Sequence, residues 1–338
     1  MKHRNSVLFL LTILLGLMLV ACGTQTATEP ETGGEEAAPA ARVALVLDGK
    51  IDDNGWNQAA YEGLKNAETQ YDIEIAYSEE VPIPDYERAL RDYATEGYGL
   101  VIAHSSIAKE AVFNAAKDFP DTSFLWTDGD ETSANVGVIR PMAHEASYLA
   151  GVLAGSMTES NIIGMVGGID IPSTHRSYAA FEQGLKEVNP EAELLVNWIG
   201  SFLDVSAGNE AAMSQIESGA DIIFGNGDGQ NIGVLQAANE TNTLAIGAVR
   251  DQFQVAPNVV LTSVEWGFGG GIPLVIGEFI NGTFEGQVYE IGLEEGAVLS
   301  DFHDNAGKIP DDVKALMAEK EEAIRDGSLV IEAVDFAP

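Results

Sequence analysis

The sequence predicts an α/β protein made of two doubly wound parallel-sheet lobes. From residue 42 onward, short runs rich in β-branched residues alternate with amphipathic stretches of helical length. The runs are predominantly apolar, as suits strands covered by helices on both faces. A helical segment of small residues at 144–155 divides the alternation into two series.

The chain opens with Lys2, His3 and Arg4, and residues 7–20 are then apolar except for Thr12 and Gly16. A spanning helix needs about 20 apolar residues, so a basic end before a shorter stretch predicts a signal peptide over residues 1–21. Leu19-Val20-Ala21-Cys22 resembles the bacterial lipobox. The resemblance implies acylation of Cys22, cleavage before it, and attachment to the extracytoplasmic face of a cell membrane through that lipid. An ordinary secretory signal with a nearby cysteine is the alternative. Cys22 is the only cysteine, which excludes a disulfide framework or a thiolate metal site. Residues 22–41 carry Thr, Glu, Pro, Gly and Ala without large apolar side chains, so they are expected to form a disordered tether.

The remaining chain exceeds what one core usually serves and suits two lobes. Hydrophobic residues make up 46% of the full sequence, enough for sizeable cores. The full sequence carries 53 acidic and 17 basic residues, a formal charge of −36. That balance excludes a nucleic-acid partner and an anionic membrane surface, both of which require Lys and Arg clusters. The acidity is dispersed and reads as a solvated surface suited to high salt.

In chain order, strands are expected at 43–47, 73–77, 100–103, 124–127 and 135–139, then at 162–166, 194–199, 222–224, 244–246 and 259–263. Helices are expected at 57–69, 84–96, 108–118, 144–155, 174–188, 207–218 and 231–240. Parallel sheets of this kind bind ligands beyond the carboxyl ends of their strands. Polar and aromatic residues gather there: Asp48, Trp56 and Asn57 after the first strand, His104 and Ser105 after the third, Asp128 after the fourth. In the second series they are Ser201, Phe202 and Asp204, then Asn226 and Asp228, Arg250 and Asp251, and Glu265 and Trp266.

No catalytic pattern stands out. Residues 225–230 (GNGDGQ) follow a strand and precede a helix, yet lack the G-x-G-x-x-G spacing and the Lys-Ser/Thr of a P-loop. Backbone packing explains those glycines as well as ligand approach does. The five histidines, at 3, 104, 144, 175 and 303, show no metal-ligand spacing. Residues 301–305 (DFHDN) fit a polar turn or a weak cation site. Trp56, Phe202 and Trp266 all follow strands; each fits core packing, and together they also fit stacking on a planar ligand. Asp48, Asn57 and Asp128 beside them would read its polar edge. No enzyme activity, cofactor or metal is expected.

Six segments resemble one family, the basic-membrane-protein lipoproteins: 52–63 (DDNGWNQAAYEG), 148–151 (YLAG), 163–172 (IGMVGGIDIP), 200–204 (GSFLD), 219–224 (GADIIF) and 250–252 (RDQ). They follow family order over nearly all of the mature chain. The resemblance implies a type I periplasmic-binding-protein fold with a hinge, in which the chain crosses between lobes three times. It places lobe I at 42–141 and about 252–282, and lobe II at 142–251 and about 283–338, with returns near Asp251 and Gly282.

It further implies a substrate-binding component of an ABC transporter, holding a purine nucleoside or purine base between two aromatics and passing it to a permease. Carried over by position, Trp56 and Phe202 are the stacking rings, Asn57 meets the base, and Asp48 and Asp128 match acidic residues after the first and fourth strands. Ser105, Asn226, Asp228, Asp251 and Trp266 complete the expected ligand-binding set. Nucleoside receptors of the family tend to carry an Asp where this chain has Val249, and a Lys near Trp266, so the resemblance favours a purine without its sugar. Two alternatives stay open. One is a surface receptor that senses another small molecule; the other is a nucleoside hydrolase using Asp48, Asp52 and Asp53 around a metal.

Overall fold

The computed structural model describes residues 41–335. The expected signal peptide, Cys22 and the tether up to residue 40 lie outside the described residues.

The first series runs β1 (Ala41–Leu47), α1 (Trp56–Gln70), β2 (Ile73–Ser78), α2 (Tyr86–Thr95), β3 (Leu100–His104), α3 (Lys109–Asp118), β4 (Ser123–Thr127) and β5 (Val136–Pro141). The second runs α4 (Ala143–Met157), β6 (Ile162–Gly167), α5 (Pro172–Val188), β7 (Glu193–Trp198), α6 (Val205–Glu217), β8 (Ile222–Asn226), α7 (Asn231–Thr241), β9 (Leu244–Val249) and β10 (Val260–Glu265). Then come α8 (Phe268–Ile280), β11 (Val288–Ile291) and α9 (Asp311–Arg325). Every ladder between these strands is parallel.

Two sheets result, ordered β11-β5-β4-β3-β1-β2 and β10-β9-β8-β6-β7. In each, the chain order reverses beside the first strand, between β1 and β3 and between β6 and β8. Such switch points open a crevice at the strands' carboxyl ends. The central strands are fully buried: β3 and β8 show no solvent-exposed residue. That matches their Ile, Val, Leu and Phe content and the helices on both faces. Helix α1 turns Ala60, Leu64 and Ala67 inward at the spacing of successive turns. Its first turn is capped by Asp53, whose two carboxylate oxygens accept the N–H groups of Gly55, Asn57 and Gln58 and the Asn57 amide. That engagement makes Asp53 a structural cap, and among the described residues no group of three or more His, Cys, Asp or Glu is placed to hold a metal ion.

The crossings between sheets depart from the expected positions. The chain does not return to the first sheet near Asp251, because β10 pairs with β9 in the second sheet. It returns after Glu265, where α8 packs on α1 and β11 then joins the edge of the first sheet beside β5. The last crossing falls at residues 292–298 rather than near Gly282, and Leu299 bridges to Val264 on β10. Lobe I is thus residues 41–141 with 268–291, and α9 packs on α4 of lobe II. The three crossings lie side by side: Met142 N–H donates to the Ile291 carbonyl at 2.8 Å, and Glu265 N–H to the Val298 carbonyl at 2.8 Å. Three adjacent, hydrogen-bonded connections form a hinge-like seam.

Candidate functional site

A cavity of about 950 Å³ opens between the carboxyl ends of the two sheets. Lobe I supplies Asp48 and Asn57 after β1, Ser105 and Ile107 after β3, and Trp126 and Asp128 at the end of β4. Lobe II supplies Ile169 and Ser173 after β6, Phe202 after β7, and Asp228 after β8, with Trp266 at the crossing. The strand-end rule therefore brings eight of the ten expected residues together: Asp48, Trp56, Asn57, Ser105, Asp128, Phe202, Asp228 and Trp266.

Two expected residues are not on this wall. Asn226 is wholly buried beneath it, where its amide donates to the Thr174 carbonyl at 2.9 Å and steadies the start of α5. Asp251 faces the other way. Its carboxylate accepts Phe253 N–H at 3.0 Å and His303 Nε2–H at 2.7 Å, tying the turn after β9 to the 3₁₀ turn at His303–Lys308. The residues at 301–305 thus form a polar turn.

The aromatic walls are built differently on the two sides. Trp56 stacks on His104 with centroids 4.2 Å apart and presents edges to Trp266 at 5.8 Å and Phe268 at 4.9 Å. His104 Nε2–H donates to the Trp56 carbonyl at 2.9 Å, which fixes the proton on that nitrogen. Burial drives the ring's pKa down to about 3, so His104 is a neutral support for the indole. Phe202, in lobe II, lies over Gly168 so closely that a Cβ there would stand 2.3 Å from the ring. Trp266 is 4% exposed, and its indole N–H has no hydrogen-bond partner among the described residues.

The polar groups are electrostatically loaded. Burial pushes the Asp228 carboxyl up to about 8, with nearby Asp53 adding to the rise and the Trp56 N–H opposing it. Desolvation also raises Asp128, against a hydrogen bond from Ser173 and the Arg176 charge. Asp48 is raised by the same cause, opposed by hydrogen bonds from Ser105 and Asn57, although the residue itself stays open to solvent.

Several of these contacts join the lobes. Trp56 N–H donates to Asp228 at 2.6 Å, Gln252 Nε2 to the Asn54 carbonyl at 3.0 Å, and Arg250 pairs with Glu62 at 2.8 Å. Arg176 approaches Asp128 at 4.0 Å.

The strand-end reading missed Arg140, Arg176 and Asp335, all on the cavity wall. Arg140 directly follows a predicted strand and was within reach of that rule. Arg176 lies one turn into α5, and Asp335 lies beyond the last helix, where no strand-end signal applies.

The family model for ABC transporter substrate-binding proteins of the PnrA-like (Bmp) type matches residues 40–330. A purine-binding protein of Brucella abortus is 30% identical over 305 residues, covering 88% of this chain and 84% of the relative. A putative ABC transporter glucose-binding protein of Haloferax volcanii is 29% identical over 310 residues, covering 91% and 78%. Among solved structures, an ABC transporter solute-binding protein of Conexibacter woesei superposes with a TM-score of 0.74 at 24% identity, covering 88% of this chain and all of that one, a likeness of fold. Two parallel sheets meeting at one cleft, together with a family match over almost every described residue, make this chain a member of the Bmp family of PnrA-like ABC transporter substrate-binding proteins.

Proposed function

We propose that this substrate-binding protein captures a purine, as free base or nucleoside, in the cleft between its lobes and delivers it to a membrane permease. One observation carries the reading: Trp56 from lobe I and Phe202 from lobe II line the same cavity, among Asp48, Asn57, Asp128 and Asp228. Two rings on opposite walls suit a flat heterocycle, and carboxylates and an amide suit its N–H groups and ring nitrogens. The Brucella relative named for purine binding supports the same class. Val249 and Trp266 on the wall, in place of the Asp and Lys that the resemblance associates with ribose, favour the base over the nucleoside. A ligand that touches both lobes stabilises the closed cleft, so binding proceeds with hinge closure along the seam of three crossings.

Calorimetry against purines, pyrimidines, nucleosides and glucose tests this assignment. Saturable binding of a purine is expected; silence from every purine, or a preference for glucose, overturns it.

The lipobox-like Leu19-Val20-Ala21-Cys22 supports a lipid anchor that holds the receptor at the extracytoplasmic face of the membrane, near its permease. Cys22→Ser should abolish metabolic labelling with fatty acid, and label that persists would overturn the anchor.

A further inference from the structure

The segment after α9 reaches the cleft. Ser328 N–H donates to Asp326 at 2.8 Å and Leu329 N–H to the Ala323 carbonyl at 2.8 Å, which closes the helix. The chain then runs irregularly, pinned by Ile331, which is 4% exposed and packs into the main core. The Ile331 backbone is hydrogen-bonded to the His144 ring on α4. Four residues on, Asp335 lines the cavity with Oδ1 3.4 Å from Nε of Arg176.

Arg176 therefore stands between two carboxylates. Asp128, from lobe I, is 4.0 Å from its terminal nitrogen; Asp335 meets it from the opposite end of the chain. The Arg176 Nε also donates to the Pro172 carbonyl at 3.1 Å, which holds the side chain along the first turn of α5. A guanidinium at a cavity wall is the side chain best suited to bind carboxylate or phosphate. Here Asp128 and Asp335 outnumber it. The other cations on the wall have carboxylates of their own: Lys109 is paired with Asp130 and Glu131, and Arg140 approaches Glu290 at 3.9 Å. Were Asp335 neutral, Arg176 would face the Asp128 carboxylate alone.

We infer that Asp335 is a specificity-determining residue: the C-terminal segment lays its carboxylate on Arg176 and so closes the cleft to anionic ligands such as nucleoside monophosphates. The inference rests on the cavity being the ligand site proposed above.

The test compares affinities for a purine nucleoside and its 5′-monophosphate by calorimetry at low ionic strength. Asp335→Asn should narrow the preference for the nucleoside by about fivefold, the scale of one partly screened charge contact. Glu332→Gln makes the same change of charge on an exposed residue of the same segment and should leave that preference within about twofold. No narrowing in Asp335→Asn, or equal narrowing in both variants, overturns the inference. Titration with inorganic phosphate provides a purine-independent arm. Asp335→Asn should bind phosphate about fivefold more tightly than the parent, and adding Arg176→Gln should remove the gain. If no purine binds any variant, the ligand assignment fails, while the phosphate result still decides the role of Asp335: a gain supports it and none refutes it.

Discussion

The Asp228 carboxylate accepts the Trp56 backbone N–H at 2.6 Å, linking the loop after β8 in one lobe to the first turn of α1 in the other. Asp228 is 8% exposed and lies near Asp53 and Asp48, so burial and like charge together hold its pKa at about 8. An unfolded chain would return it to about 4. The fold thus favours the protonated form. Its contribution to stability is whole below about pH 4 and is lost as pH rises through about 8. Asp228→Asn keeps an oxygen to accept the Trp56 N–H but removes the titration. Between pH 5 and 8 the parent should lose at least about 1.4 kcal/mol relative to this variant, the equivalent of one pKa unit. Thermal or urea unfolding across that range checks it; parallel pH profiles would refute the assignment.

The same contact requires glycine at position 55. A Cβ on Gly55 would stand 1.6 Å from the Asp228 oxygen, so Gly55→Ala forces the two lobes apart at that point. The variant should show a larger radius of gyration by small-angle scattering, and ligand affinity lower by about tenfold, or 1.4 kcal/mol. Adding Asp228→Ala removes the clash and should return the radius to that of the parent. A double variant as expanded as Gly55→Ala would place the cause elsewhere.

The strands of both lobes were legible because buried parallel strands are written as continuous apolar runs, as in β3 and β8. Helix α8 was not, because Gly269, Gly270, Gly271 and Pro273 read as breakers, yet α1 packing carries them in a helix. Strand β11 has only four residues and depends on β5 for its place. Without these two elements, the second and third crossings could not be located from pattern alone. At the site, strand ends identified the right loops but not which way each side chain turns. Asn226 and Asp251 follow strands as Asp228 does, yet local partners, the Thr174 carbonyl and His303, draw them off the cavity. Asp335 gave no signal because its position depends on Ile331 anchoring the segment after α9.

Trp56 and Phe202 are expected to contribute stacking energy to the ligand. Trp56→Ala and Phe202→Ala should each weaken purine binding by about 1–3 kcal/mol. Trp56 also supports His104, Trp266 and Phe268, so its removal should lower thermal stability as well. Among the described residues Phe202 joins no such ring cluster, and it should affect affinity more than melting. Calorimetry beside thermal denaturation separates the two effects; unchanged affinity in both variants would mean the rings are packing residues.

Gln252 should matter more to folding than to the ligand. Its side chain is 1% exposed and serves both lobes: Nε2 donates to the Asn54 carbonyl at 3.0 Å, and Oε1 accepts Ala248 N–H at 3.1 Å. Its backbone N–H is in turn satisfied by the Ser263 hydroxyl at 3.0 Å. Gln252→Ala strands a part-buried carbonyl on the loop before α1 and a buried N–H in β9; a buried group that loses its partner costs about 1–3 kcal/mol, and the part-buried one less. A total destabilisation of about 2–4 kcal/mol is expected, allowing for partial rescue by water. Gln252→Glu keeps the acceptor for Ala248 but replaces the donor to Asn54 with a second acceptor, and it buries a charge. It should therefore be at least as damaging as the alanine variant at neutral pH and recover as the solution is acidified. Urea unfolding at two pH values distinguishes this from a purely steric role, in which the isosteric glutamate would be tolerated at both.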